Sequence, residues 1–180
     1  MSLELVNWIN TLQSSSLKKV SFYTLTREFA EELKKNPQFD HVHVTGHSLG
    51  GGLSMITGAQ AKIQAVALSG PNALISGRSF NPKVTREDLN KYTFNIIPDK
   101  DIVPMLDDVA DQFQRIRCMT PAYNFVDCHT SIRSICELMY SCGSGNRPPI
   151  CECHKVYGYA KPQPLTDGPD NFDELCADVE

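Results

Sequence analysis

Residue types that can carry out acyl transfer occur here in a telling order: a serine between glycines, then aspartates, then a histidine. The serine lies in Gly46-His47-Ser48-Leu49-Gly50, a G-x-S-x-G pattern. A β-rich run, His41 to Thr45, leads into it, and residues 49–62 beyond it read as a helix despite their glycines. A serine on a tight strand-to-helix turn is held out in front of the sheet on a strained backbone. The flanking glycines are expected to let strand and helix approach without Cβ clashes. The helix start supplies unpaired N–H groups and positive partial charge where an oxyanion would form. The N–H of Leu49 would be one donor to that oxyanion. Gly51 and Gly52 extend the small-residue run and would let the helix sit close to the sheet.

A serine is a weak nucleophile without a base, and the base needs an orienting carboxylate. On strand–helix frameworks of this type the order is serine, acid, histidine. After Tyr92 to Ile97, a β-rich run, comes Pro98-Asp99-Lys100-Asp101-Ile102-Val103-Pro104. A carboxylate just past the carboxyl end of a parallel strand lies on the serine's side of the sheet. Asp99 and Asp101 both satisfy that spacing. Two histidines follow, His129 and His154. His129 is preferred as the base: it follows Cys128 at the start of an expected helix, where a disulfide would fix its loop. His154 falls in a Cys- and Pro-rich stretch. His47 should point away from Ser48, and His41 and His43 share one strand face as packing or surface residues.

The elements that must position these groups follow from pattern and punctuation. Leu5, Trp8, Ile9 and Leu12 predict a helix over residues 3–13. Leu25, Phe29 and Leu33, on one face, predict a second helix over 25–35, stopped by Asn36-Pro37. Gln64 to Ser69 is a second strand, Thr85 to Lys91 a short helix, and Tyr92 to Ile97 a third strand. Residues 106–116 and 130–140 are expected as helices. Three strands alternating with helices imply an α/β fold with a mostly parallel sheet. Residues 1–160 read as one domain, with a Cys-rich segment at 118–153, and 161–180 as an acidic, mobile tail.

Composition excludes several functions. The chain has 180 residues, 17 basic and 21 acidic, and a formal charge of −4. It has no basic stripe, so it lacks the electrostatic footprint of a nucleic-acid binder. It has no apolar run of membrane-spanning length, and its N-terminus does not read as a signal peptide. No spacing calls for a metal or cofactor. The seven cysteines all lie at or beyond residue 118. Cys118, Cys128, Cys136, Cys142, Cys151 and Cys153 form a cluster, with Cys176 left over. They are expected as disulfides of unassigned pairing, which imply an oxidising, extracellular or secretory setting.

The stretch His43-Val-Thr-Gly-His-Ser-Leu-Gly-Gly51, the strand ending Ser69-Gly70-Pro71, and Asp101-Ile-Val-Pro104 together resemble the fungal-type class 3 lipases. Cys128-His129-Thr130, Cys136-Glu137-Leu138 and Cys142-Gly143-Ser144-Gly145 are similar to a cysteine-rich branch found in oomycetes and ciliates. The resemblance implies an α/β-hydrolase fold and hydrolysis of carboxylic esters such as acylglycerols. A lipid ester is the implied substrate, with transient contact to a lipid surface. It also implies Ser48 as nucleophile, Asp101 as acid and His129 as base. No Phe-Arg-Gly-like oxyanion motif precedes Ser48, so the chain reads as the C-terminal part of such a domain. Loss of one oxyanion donor costs about 10²–10³ in rate. A weak or inactive lipase-like remnant is therefore the alternative expectation.

Overall fold

Alternating small and larger residues in the short β-rich runs produce a sheet that is mostly parallel. The computed structural model describes residues 22–119, 125–142, 150–159, 174 and 176–178. The helix expected at 3–13 and nearly all of the tail lie outside these residues. The chain forms two compact units, Met1–Ile97 with Asp101–Arg115, and Pro98–Lys100 with Ile116–Glu180.

Strands β1 (His43–His47), β2 (Gln64–Leu68), β3 (Thr93–Pro98) and β4 (Phe113–Ile116) are ordered β1-β2-β3-β4, and all of their residues but Pro98 and Ile116 lie in the first unit. Val44 registers with Ala65, and Ala65 with Thr93; Gly46 registers with Ala67, and Ala67 with Asn95. Side chains alternate along each strand, so these residues share one face. Ala65, Ala67, Thr93 and Asn95 are buried, and their sequence neighbours Gln64 and Val66 are exposed. Two alanines, Ala65 and Ala67, are the β2 side chains on the buried face, and helix α2 (Leu49–Ala61) lies close against it: a Cβ on Gly58 would be 2.5 Å from Ala65 Cβ.

Helix α1 (Phe22–Lys35) forms where the periodicity predicts. Of its apolar face, Leu25 and Phe29 are 58% and 61% exposed and Leu33 is half-buried, while Ala30 is buried. The inward stripe is Tyr23, Thr26 and Ala30. Thr26 Oγ1 meets Thr57 Oγ1 of α2 at 2.8 Å, and the Tyr23 ring packs edge-on against Phe80 at 5.2 Å. Close helix–helix approach selects small residues and overrides the larger apolar periodicity.

The helix expected at 106–116 is absent. Strand β4 occupies its last residues, and a 3₁₀ turn at Val103–Met105 precedes the stretch. The aspartates here prefer partners outside a helix. The Asp107 carboxylate accepts the backbone N–H groups of Ile75 (2.7 Å) and Ser76 (2.9 Å) and the Ser76 hydroxyl. Asp111 donates its N–H to Asn90 Oδ1 (2.9 Å). Such side-chain bonds are the usual competitors of helix.

Helix α3 (Arg86–Tyr92) opens on a reciprocal cap: Thr85 Oγ1 accepts the Asp88 N–H at 3.1 Å and donates to Asp88 Oδ2 at 2.8 Å. Lys62 pairs with the same carboxylate. Partial burial opposes ionisation of Asp88, but the Lys62 and Thr85 hydrogen bonds and the Lys62 charge outweigh it and hold its pKa below the usual value.

The second unit carries α4 (Phe125–His129), α5 (Ser131–Cys142) and α6 (Cys151–Lys155). Disulfides join Cys118 to Cys128, Cys136 to Cys153 and Cys151 to Cys176. The odd cysteine is Cys142, exposed and free, rather than Cys176, which is buried. Cys136, Cys153 and Tyr159 form the core, packed by Ile132, Tyr140, Ile150 and Tyr157. Burial, then the negative Glu137, push the Tyr159 hydroxyl up to about 12.

Two predictions test this packing. A Cβ on Gly51 would lie 2.9 Å from Gly70 Cα, whereas one on Gly50 would meet nothing within 4 Å. Gly51→Ala should destabilise by about 1–3 kcal/mol, and Gly50→Ala should stabilise by up to about 1 kcal/mol through helix propensity. Chemical denaturation midpoints distinguish them. Asp88's lowered pKa contributes stability that is full above its unfolded-state pKa and is lost as pH falls through the folded one. Asp88→Asn should flatten the loss of stability on acidification below about pH 5, read by thermal melts across pH.

Candidate active site

Ser48 stands where β1 ends and α2 begins, with φ 58° and ψ −129°. A non-glycine residue in such a region costs about 1–3 kcal/mol and persists only where its surroundings over-determine it. They do so here. The Ser48 N–H donates to the Leu68 carbonyl at the end of β2 (3.0 Å), and the Ser48 carbonyl accepts the Gly52 N–H (3.1 Å). One side of the residue belongs to the sheet ladder and the other to the first helical bond.

The two glycines of the motif do different things. A Cβ on Gly46 would lie 2.3 Å from the Gly50 carbonyl oxygen, so only glycine fits there. The Gly50 Cβ position is open. The second glycine is therefore not required for its own clearance, contrary to the expectation from sequence; its backbone is what Gly46 must avoid. Gly51 and Gly70 share the same close approach: a Cβ on Gly70 would meet the Gly51 carbonyl carbon at 2.8 Å.

The N–H groups of Leu49, Gly50 and Gly51 precede the first intrahelical bond of α2, and the 13-residue helix directs its positive end at this point. The Leu49 side chain is 79% exposed beside the serine.

Asp101 lies in the same unit, just past the end of β3, with β2 between it and the Ser48 strand. Both residues therefore emerge at the carboxyl ends of parallel strands. Asp101 is fully buried, and its Oδ1 accepts the Val103 N–H at 2.9 Å. Asp99, equally eligible by spacing, is half-buried and placed by its backbone N–H, which bonds the Ile116 carbonyl (2.8 Å). Ile102, Met105 and Leu106 of the Asp101 loop are all half exposed or more.

His129 belongs to the second unit. It ends α4 rather than starting a longer helix, and it is half-buried. The segment that carries it is held from several sides. Cys128 is buried and bonded to Cys118. Thr130 donates its N–H (3.2 Å) and hydroxyl (2.7 Å) to the Asp127 carbonyl. Arg133 reaches the Asp127 carboxylate (3.4 Å) and the Met119 carbonyl, and stacks its guanidinium 4.5 Å from the Tyr157 ring centre. His154 is engaged elsewhere, with Nδ1 2.8 Å from the Tyr159 carbonyl. His41 and His43 are exposed, their rings 6.3 Å apart.

Sequence reasoning did not single out Asn72 and Asn95, which are buried and hydrogen-bonded to each other, with Asn72 Nδ2 also on the Pro104 carbonyl of the Asp101 loop. The available signal was Asn95 itself, an amide in mid-strand between Phe94 and Ile96, where asparagine is disfavoured. Among the described residues, no group of three or more His, Cys, Asp or Glu is placed to hold a metal, and no helix is long and apolar enough to cross a membrane.

The class 3 lipase family model matches residues 7–109, more than half of the chain. The match takes in the β1–Ser48–α2 elbow, the parallel strands and the Asp101 loop. No curated protein matches the chain. With its strained serine at the strand–helix turn of an α/β-hydrolase-like sheet, the chain belongs to the class 3 lipases, a family of lipase-type ester hydrolases.

Proposed function

We propose that this chain hydrolyses carboxylic esters of lipids, acylglycerols among them, through an acyl-enzyme on Ser48. His129 takes the Ser48 hydroxyl proton as Oγ attacks the ester carbonyl. The carbonyl becomes a tetrahedral oxyanion, stabilised by the Leu49 N–H. The C–O bond to the alcohol then breaks as His129 returns the proton to the leaving oxygen. Water repeats the sequence on the acyl-enzyme and releases the fatty acid. Asp101 orients the imidazole and stabilises its charged form.

The observation that carries this reading is the Ser48 backbone, held at φ 58° and ψ −129° at the start of a 13-residue helix. Strain of that kind serves a hydroxyl that must stand clear of the sheet. Burial of Asp101 supports its choice over Asp99, because a buried carboxylate acts on its partner in a low dielectric. The exposed Leu49, Ile102, Met105 and Leu106 support an apolar acyl substrate and contact with a lipid surface. The three disulfides support an extracellular or secretory setting and the cysteine-rich branch of the fungal-type enzymes. We take residues 1–160 as one lipase-like domain followed by an acidic tail at 161–180.

Hydrolysis of p-nitrophenyl butyrate and emulsified tributyrin by the oxidised chain is the test. Ser48→Ala, Asp101→Asn and His129→Ala should each lower kcat by about 10⁴-fold without loss of folded structure. A folded wild-type chain with no turnover, or a Ser48→Ala variant as active as wild type, would contradict the proposal. Unchanged activity in Asp99→Asn is the expected control.

A further inference from the structure

We infer that Asn72 and Asn95 form a buried positioning device that sets the Asp101 carboxylate. This inference rests on the assignment of Asp101 as the acid above.

Asn95 lies in the middle of β3 and is 2% exposed; Asn72 follows β2 and is 8% exposed. Asn95 uses both amide hydrogens. Nδ2 donates to the Gly70 carbonyl at 2.9 Å and to Asn72 Oδ1 at 3.0 Å. Its orientation is set by chemistry, because the flipped amide would turn an oxygen toward two acceptors. With its oxygen so committed, Asn72 turns Nδ2 onto the Pro104 carbonyl. Pro104 is buried inside the 3₁₀ turn Val103–Met105, and the Val103 N–H of that turn donates to Asp101 Oδ1 at 2.9 Å. Hydrogen bonds thus tie the strand bed to Pro104, and the backbone of the same 3₁₀ turn carries the Val103 N–H that donates to the carboxylate. The same set of bonds grips Gly70, whose Cα is the close neighbour of Gly51 at the start of α2. One network therefore references the Asp101 loop and the serine elbow to a common point.

Packing alone does not account for this arrangement. Among the described residues, Asn95 Oδ1 is buried with no hydrogen-bond partner. A buried unsatisfied acceptor is destabilising, and the amide is present at this position despite that penalty. What the amide supplies, and a leucine cannot, is two donors aimed at fixed acceptors. Neither asparagine touches the reacting atoms in this scheme; both act through Asp101.

The experiment measures kcat and KM for p-nitrophenyl butyrate in Asn72→Leu and Asn95→Leu, each in the wild-type and Asp101→Asn backgrounds. Measurements are made on the oxidised full chain well below each variant's melting temperature. Displacement of an orienting group by about 1 Å costs up to about 10²-fold. Each substitution should therefore lower kcat by about 10- to 100-fold with KM unchanged. In the Asp101→Asn background the same substitutions should change kcat no further, because the group they position is gone. General damage to the fold would lower kcat equally in both backgrounds or raise KM, and either result overturns the inference. So does full activity in the Leu variants while Asp101→Asn is impaired. If Asp101→Asn itself matches wild type, the assignment of Asp101 falls, and the positioning role falls with it for that separate reason. Should a Leu variant fail to fold, Asn72→Ser, which keeps a small polar side chain but cannot reach Pro104, is measured with the same expected loss of kcat and the same absence of effect in the Asp101→Asn background.

Discussion

A Cβ at position 46 would sit 2.3 Å from the carbonyl oxygen of Gly50, and one at position 51 would sit 2.9 Å from Gly70 Cα. These two distances describe a helix start driven into the ends of two strands. Nothing larger than hydrogen fits at either point. The approach is what lets Ser48 bond to the sheet through its N–H and to the helix through its carbonyl within one residue, at a φ of 58°. The strain of about 1–3 kcal/mol at such a residue is borne by the close packing of α2 on Ala65 and Ala67. Gly58 repeats the contact at the far end of the helix, where an added Cβ would lie 2.5 Å from Ala65 Cβ. The seat of the helix, and with it the geometry of the serine, depends on small residues along its whole length.

The second unit solves a different problem by different means. It has little apolar mass to bury, and its core is built around two half-cystines, Cys136 and Cys153, and Tyr159. Glu137 is buried in the same region and is met by the Arg117 guanidinium (3.4 Å) and the Ser141 hydroxyl (2.8 Å). Cross-links restrict the unfolded chain where hydrophobic burial is scarce. The short segment from Asp127 to Thr130 inherits its order from the Cys118–Cys128 bond and from Arg133.

Much of this was legible in the amino-acid order. The Ser48 motif, its strand and its helix are local: a period-two run, a glycine-bounded turn and a small-residue helix follow in sequence. The parallel strands could be read for the same reason, whereas spacing alone left Asp99 and Asp101 even. The failures share another cause. The contact face of α1 was not read, because it is set by Thr26 meeting Thr57 of α2 rather than by Leu25 and Phe29. Residues 106–116 were misread as helix because Asp107 and Asp111 find partners some 20 to 30 residues away. The pairing of Cys151 with Cys176 and the Asn72–Asn95 network are likewise long-range. Periodicity reports a segment's own preferences, and none of these features is decided within a segment.

The most direct measurement is the site of modification by a fluorophosphonate, which needs an activated serine and no particular substrate. The oxidised chain is treated with the reagent, digested and mapped by mass spectrometry. A single adduct on Ser48, absent after denaturation, is the predicted result. An intact, folded chain that carries no adduct, or carries it on another residue, would contradict the assignment of Ser48 as the nucleophile.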